Sequence, residues 1–507
     1  MPRWTLLLFA ASLAITANTH AAEDLRGAWI FQPASGFPGF TAMQIDTQSG
    51  RLHGRILSEW YGELPMLDLR ASPGGWTFRI DNGNARVEQH ELTLSQGHPG
   101  LRLTGQVWYA NVDITARQGT RAQVDARRLP TYPLPPLTDL PDNGLARTPP
   151  MGWNSWNKFA EAIDEHTVRE IADALVATGL RDAGYIYVNI DDGWQGSRDQ
   201  RGVLQPNAKF PDMKGLADYV HARGLKLGIY SSPGPKSCAG FPGSYGHVEQ
   251  DAGTWAAWGI DYLKYDLCSG EGFYRSLETV RAVYQQMGSA LQATGRPIVF
   301  SLCEYGRFAV GEWGRKVGGN LWRTTGDISD DYSSMATIGF DKTAPAEHTN
   351  PGGWNDPDML EIGNGGMSED EYRTHMSLWA LLSAPLLTGN DVRAMTPQTR
   401  ALLTNAEVIA IDQDALGRQA TRALRRDTIE IWVKPLADGS TAIGAFNRAG
   451  QPAVTDIPWS ELVPDAAPVL RDLWEHKDIQ SAGPVLRAPI PAHGVLLLKA
   501  RPRTSGR

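Results

Sequence analysis

Between about residue 145 and residue 415 the chain repeats one pattern: a short apolar run, a polar cluster, then a stretch with helical spacing. The run 185–190 ends in Asp191, Asp192, Gly193 and Trp194, and the run 225–230 ends in Ser231, Ser232, Pro233 and Gly234. The runs 260–265, 297–302 and 320–325 lead into Asp266, into Cys303 and Glu304, and into Gly326 and Asp327. These runs are short and largely apolar, which predicts parallel strands covered on both faces. Residues 165–178 and 213–223 carry apolar side chains at helical spacing and predict helices between the strands. Strand and helix alternating over about 270 residues predict a (β/α)8 TIM barrel, which gathers the polar strand ends at one mouth. A doubly wound open sheet is the alternative, but it gives no reason for polar residues at so many strand ends.

On both sides of this region the period changes to two. Residues 23–128 hold short alternating runs between Gly, Asn and Pro turns and predict an N-terminal all-β domain. Residues 129–142, dense in proline, predict an extended, semi-rigid linker ahead of a barrel at 143–416. Alternation returns at 428–433, 442–446 and 494–498, so residues 417–500 are expected to form a C-terminal antiparallel β-sandwich. Residues 1–22 have the layout of a secretory signal peptide: Arg3, an apolar stretch over 6–15, and small residues before a cleavage point after Ala22. The apolar stretch is too short to span a bilayer, so the mature protein is expected to be exported, to the periplasm or outside the cell.

Composition narrows the function. A net charge of −8 over 507 residues gives no basic field for nucleic acid. The 17 tryptophans suit stacking on sugar rings, and equally suit ordinary packing. The 11 histidines show no metal-ligand spacing, so neither metal nor cofactor is expected. The three cysteines, Cys238, Cys268 and Cys303, allow one disulfide in an oxidising compartment. Nothing in the sequence speaks to oligomeric state.

Two strand ends carry the candidate chemistry: Tyr262-Leu263-Lys264-Tyr265-Asp266 and Trp322-Arg323-Thr324-Thr325-Gly326-Asp327. A pair of carboxyl groups brought to one mouth is what cleavage of a glycosidic bond requires, one at the anomeric carbon and one exchanging a proton with the leaving oxygen. Taken singly, each is as well explained as the cap of the following helix.

With these segments stand further motifs in a fixed order. They are Asn143 to Trp156 (NGLARTPPMGWNSW), Asp191-Asp192-Gly193-Trp194, Cys238 to Ser244 (CAGFPGS), Gly352 to Met359 (GGWNDPDM), Ser383-Ala384-Pro385-Leu386 and Ile411-Asp412-Gln413-Asp414. Over residues 143–500 the chain resembles glycoside hydrolase family 27, which includes the lysosomal and plant α-galactosidases. The resemblance implies a (β/α)8 barrel followed by an antiparallel β domain, and a retaining exo-glycosidase acting on a carbohydrate with terminal α-galactose. By it, Asp266 is the nucleophile and Asp327 the acid/base. Lys264, on the same face two residues before Asp266, is expected to keep the nucleophile ionised, while burial or a neighbouring negative charge keeps the proton on Asp327.

The resemblance also implies sugar contacts. Asp191 and Asp192 accept from the O4 and O6 hydroxyls, Trp156 stacks on the ring, Lys264 and Arg323 donate, and Tyr230, Cys238, Glu304 and Asp358 complete the pocket. Without it, the Asp pair reads as a helix cap or metal ligand, and the basic residues as rim ion pairs. By the same resemblance, the bulky residues at Glu304, Tyr305 and Arg307, similar to the plant members, imply a free C2 hydroxyl over an N-acetyl group, and the short Asp192 argues against a β-L-arabinopyranosidase. Cys238 and Cys268 match a family disulfide, worth about 3–4 kcal/mol for a loop of about 30 residues; Cys303 is left as a buried free thiol. Residues 23–128 have no counterpart in the core family, and Trp29, Trp60, Tyr61, Trp76 and Trp108 there form either a sugar-stacking platform or a core. The rival from another class is a non-catalytic carbohydrate-binding protein, which has no use for an acid at Asp327.

Overall fold

The computed structural model describes residues 25–32, 36–81, 90–97, 100–108, 110–463, 466–481 and 483–502. The expected signal peptide, 1–22, lies outside the described residues. The chain divides into two compact units. The first takes residues up to Pro133 together with Ser232–Gly246 and Leu267–Val280. The second takes Leu134–Ser231, His247–Asp266 and Arg281 onward. The boundary at Pro133 falls inside the expected linker, and the two internal segments that join the first unit are a feature the sequence did not announce.

In the first unit eight antiparallel strands follow one another and close into a barrel. They are β1 (Gly27–Phe31), β2 (Phe40–Gln48), β3 (Arg51–Ser58), β4 (Gly62–Ser72), β5 (Gly75–Ile80), β6 (His90–Gln96), β7 (Leu101–Val107) and β8 (Ala110–Gly119). β1 pairs with both β2 and β8, which leaves no open edge. Alternate residues fill the interior: Trp29, Phe31, Met43, Ile45, Leu92, Leu94, Leu101 and Leu103 all belong to one buried cluster. Trp29, Trp60 and Tyr61 are buried members of that cluster, and Trp76 and Trp108 pack against it, so the core reading of these aromatics holds over the stacking platform. A short helix, Arg121–Asp125, begins in a capping box on Thr120 and lays Val124 on Ala28, Ile30, Ala42 and Leu57. The disulfide Cys238–Cys268 joins the two internal segments to each other, and the second is tied to the strands through Arg275, which donates to the carbonyl of Asp81 (2.8 Å), and through the ring of Phe273. That ring leaves no room for a side chain at residue 62, where a Cβ would lie 2.8 Å from it and φ is +70°: hence Gly62.

The second unit is built on eight parallel strands: β9 (Met151–Asn154), β10 (Tyr187–Asn189), β13 (Lys226–Ser231), β14 (Tyr262–Asp266), β15 (Val299–Cys303), β16 (Leu321–Arg323), β17 (Trp354–Asp356) and β18 (Leu386–Thr388). A hairpin of β11 (Gln195–Arg198) and β12 (Leu204–Pro206) follows β10. The sheet order is β17-β16-β15-β14-β13-β10-β9-β18, and one further parallel bridge joins Leu360, beyond β17, to Thr388 of β18. Tyr187, Tyr262, Val299, Leu321, Trp354 and Leu387 pack together from six of these strands. The expected helices appear as Glu165–Ala177 and Met213–His221, each started by an aspartate, Asp164 or Asp212, that accepts from the backbone of the first turn. Residues 134–142 are extended and anchored, for Thr138 donates to Gln285 (2.8 Å) and Leu140 to the carbonyl of Lys316 (2.8 Å).

The C-terminal strands are β19 (Thr421–Arg426), β20 (Ile429–Pro435), β21 (Thr441–Asn447), β22 (Ala453–Ile457), β23 (Ala466–Asp472), β24 (Lys477–Gln480), β25 (Leu486–Ile490) and β26 (Val495–Pro502). They form a six-stranded antiparallel sheet, β19-β20-β21-β26-β23-β24, and a two-stranded one, β22-β25, over a core that includes Ile431, Ile443, Leu470, Ile490 and Leu498. This layer meets the helix Glu369–Leu382 through polar contacts. Lys434 donates to the carbonyl of Ala380 (2.8 Å), and Trp474 Nε1 to Ser377 (2.9 Å). Among the described residues no helix is long and apolar enough to cross a membrane.

Candidate active site

Ten of the eleven catalytic and sugar-binding residues expected from the sequence lie in the second unit; Cys238 lies in the first, bonded to Cys268 with 5.0 Å between Cα atoms. The ten sit at or just beyond the C-terminal ends of parallel strands. β9 ends at Asn154, two residues before Trp156, and β10 ends just before Asp191 and Asp192. β13 carries Tyr230, β14 carries Lys264 and ends at Asp266, and β15 leads into Glu304. β16 ends at Arg323, four residues before Asp327, and Asp358 follows β17. Because side chains alternate along a strand, Lys264 and Asp266 share a face.

Asp191, Asp327 and Asp358 face cations, and Asp192 faces amides. Asp191 Oδ2 accepts from Lys264 Nζ (2.9 Å) and from Asn154 Nδ2 (2.7 Å). Asp192 Oδ1 accepts from the Gly193 amide and from Gln195 Nε2, both at 3.1 Å. Lys264 Nζ also lies 5.3 Å from the centre of the Tyr230 ring. Arg323 Nη2 reaches Asp358 Oδ2 (3.0 Å) and Asp327 Oδ1 (3.1 Å), and its Nη1 lies 3.8 Å from the Cys303 thiol. Trp156, half-buried, joins this set through Asn154, whose Oδ1 accepts from its backbone amide (2.9 Å). Glu304 is buried and accepts from the Gly306 amide (3.0 Å). Cys303 is a buried free thiol, as expected.

The proton affinities correct one expectation. Burial raises the Asp266 carboxyl to about 6, against the opposing pull of Lys264 and of a Tyr305 hydrogen bond. Asp327 moves the other way: burial works upward on it, but Arg323 and then Lys264 outweigh that and hold it below the ordinary carboxylate range. The raised carboxyl is therefore the expected nucleophile, and the depressed one the expected acid. The reason is position. Asp266 closes an interior strand and is 5% exposed, whereas Asp327, on the loop after β16, takes a direct bond from the buried guanidinium of Arg323.

Two residues enter the site that sequence reasoning missed, Asp356 and Asn154, and Tyr305, expected only as bulk beside the C2 position, enters in a different role. Tyr305 donates its hydroxyl to Asp266 Oδ1 at 2.5 Å. Asp356, at the end of β17, accepts from the Asp358 amide (2.9 Å), and burial raises its carboxyl to about 6 against the pull of Arg323. Asn154 couples Trp156 to Asp191. Asn154 and Asp356 lie inside the quoted motifs and could have been found as polar strand ends. Tyr305 carries no such signal, because its hydroxyl matters only across two strands.

Comparison with known proteins agrees with this geometry. The family profile described as alpha galactosidase A matches residues 148–414, and the one described as alpha galactosidase C-terminal beta sandwich domain matches residues 426–500. The chain is 48% identical over 371 residues to an α-galactosidase of Cyamopsis tetragonoloba, covering 72% of this chain and 89% of that one. The structure of an α-galactosidase from Saccharomyces cerevisiae with raffinose is similar at a TM-score of 0.67 and 29% identity, over 72% of this chain and all of that one. A solved Bacteroides fragilis protein, 33% identical at a TM-score of 0.68, matches 94% of this chain and 92% of its own.

Proposed function

The chain belongs to the α-galactosidase family of glycoside hydrolases, acting on terminal α-galactosyl residues, and we propose that it does so on oligo- or polysaccharides by a retaining double displacement. Asp266 attacks the anomeric carbon as the glycosidic bond breaks, and Asp327 gives its proton to the departing oxygen. Asp327 then takes a proton from the water whose oxygen displaces Asp266, which restores the free carboxylate. The single observation that carries this reading is the cluster Lys264–Asp191 and Asp327–Arg323–Asp358 around Asp266, at neighbouring parallel-strand ends, in a chain this close to α-galactosidases.

These proton affinities fit the two roles once the sugar is seated. A galactosyl ring displaces water from Asp327, and its hydroxyls take up hydrogen bonds from Arg323, so the acid regains its proton. The positive charge developing at the anomeric carbon favours ionised Asp266. Asp191, Asp192, Lys264 and Arg323 hold the hydroxyls, Trp156 stacks on the ring, and Tyr230, Glu304 and Asp358 wall the pocket. The parallel sheet supports a closed (β/α)8 barrel as the scaffold. Residues 23–128 are proposed as an accessory all-β domain, a reading supported by the Bacteroides match over 94% of this chain. The layout of residues 1–22 supports export, with cleavage after Ala22.

The test is nitrophenol release from the aryl α-galactoside beside the aryl N-acetyl-α-galactosaminide and aryl β-L-arabinopyranoside. Preference for the galactoside is expected. Asp266→Gly should lose turnover by several orders of magnitude, and azide should restore it while forming the β-galactosyl azide. Wild-type activity in that variant would remove Asp266 from its role.

A further inference from the structure

We infer that Tyr305 is a positioning residue for the nucleophile: its hydroxyl, donating to Asp266 Oδ1 at 2.5 Å, fixes the carboxylate plane, leaves Oδ2 to attack and assists the later release of the sugar. The inference rests on the assignment of Asp266 made above. The backbone is shaped to deliver this hydroxyl. Tyr305 has φ +63°, a left-handed conformation that few residues besides glycine adopt without cost, and Phe308 and Ala309 share it at +54° and +51°. Glu304 Oε1 holds the turn through the Gly306 amide, and at Gly306 (φ +74°) a Cβ would lie 2.0 Å from the carbonyl of Thr324. The turn is thus pressed against the segment after β16, and the half-buried Tyr305 is directed to the end of β14.

Chemistry gives the bond a direction. When Oδ2 bonds to the anomeric carbon the leaving oxygen departs with its electron pair and the proton of Asp327, and Oδ1 becomes an ester carbonyl, a weaker acceptor than a carboxylate oxygen. In the second step water oxygen bonds to the anomeric carbon, its proton goes to Asp327, and the C–O pair returns to Asp266. A donor on Oδ1 stabilises the carboxylate more than the ester, so it speeds the second step, in which the carboxylate departs, and slightly opposes the first. The other titratable or charged groups acting with or on Asp266 are Lys264 on its own strand, Asp327 and Arg323 beyond β15, Tyr230 on β13, Cys303 opposite it on β15, and Tyr284 of the neighbouring helix.

Tyr305→Phe keeps the ring and removes the donor. With an aryl α-galactoside of good leaving group, kcat is expected to fall about tenfold with KM falling in step, and galactosyl-enzyme should accumulate in intact-protein mass spectra. The acid limb of kcat/KM should move up by about one pH unit, since removing a donor to the charged form raises its pKa. A raised KM with unmoved kcat and unmoved acid limb would mean that Tyr305 only shapes the pocket, and unchanged kinetics would overturn the inference. Should the phenylalanine variant fail to fold, Tyr305→Asn, which tolerates left-handed backbone, is held to the same limb shift. The Asp266→Gly variant run alongside separates the two failures. Azide rescue there with no effect at Tyr305 sinks this inference alone, and no rescue sinks both.

Discussion

At the scale of single residues, Asp358 shows how the site holds strain. Its φ of +85° costs on the order of 1–3 kcal/mol for a residue with a side chain. Four bonds hold it there: its amide to Asp356 (2.9 Å), its carboxylate to Arg323 (3.0 Å) and to the Ile328 amide (2.9 Å), and its carbonyl to Trp379 Nε1 (2.7 Å). Trp379→Phe removes the last and orphans a buried carbonyl, at about 1–3 kcal/mol. If that cost falls on the binding geometry, kcat/KM drops about tenfold, chiefly through KM, while the acid limb stays in place. A drop in melting temperature with unchanged KM would make Trp379 part of the packing only. The acids and bases of the site were legible as residue types at strand ends. Their proton affinities were not, because the burial of Asp266 and the Arg323 bond to Asp327 are set by how the strands pack. The Tyr305 hydroxyl was hidden for the same reason.

At the scale of elements, the expected strands at 185–190, 225–230, 260–265, 297–302 and 320–325 all form, shortened or shifted by one to three residues, since a parallel strand ends where its ladder partners end. β9, β17 and β18 were not read as strands. They run for four, three and three residues beside Gly and Pro, too short for periodicity to show. The closure of β1 to β8 was equally invisible, because alternation predicts strands but not which edge strand returns to the first. One element carries a tertiary load the sequence did not announce. The helix Glu369–Leu382 starts in a Ser368–Glu371 capping box and ends at Ser383. Lys434 of the sandwich, fully buried, donates to the Ala380 carbonyl and to Ser383 Oγ (2.7 Å) at that end. Lys434→Met keeps the volume but removes both bonds, leaving the Ala380 carbonyl only the longer one from the Ser383 amide (3.3 Å), and it should destabilise the protein by about 1–3 kcal/mol. Thermal unfolding checks this. An unchanged or raised melting temperature would show that the ammonium is dispensable there.

At the scale of the whole molecule, buried carboxyls set opposite demands on pH. Burial raises Asp266 and Asp356 to about 6, Glu361 to about 7 and Asp412 to about 8, from ordinary values of 3.8 to 4.5. A carboxyl raised on folding binds its proton more tightly in the native state, so its contribution is fully present below the unfolded pKa and is lost as pH climbs through the folded one. Glu407 and Asp438 act in reverse. Arg471 holds Glu407 at about 2, and Lys499 outweighs burial to hold Asp438 there, so their contribution is lost only as pH falls below about 4. His375 opposes one of these carboxyls, since burial holds it at about 3 and its cost fades as pH rises to its ordinary 6.5; against four raised carboxyls, the melting temperature should still peak near pH 4 and decline towards pH 8. Glu361, which accepts from Asn157 and Asn364 (2.7 Å), should supply part of that slope. Glu361→Gln, with one asparagine amide turned to suit, should flatten the decline between pH 5 and 7, and a wild-type profile that is flat or rises over that range would refute the account. Turnover runs against this, because the first step needs Asp266 ionised, so activity in the free enzyme is gained as pH rises through about 6 while stability is being lost. The site is thus strongest as a catalyst on the side where its own buried charge weakens the fold, which is the cost of placing a nucleophile at the end of an interior strand.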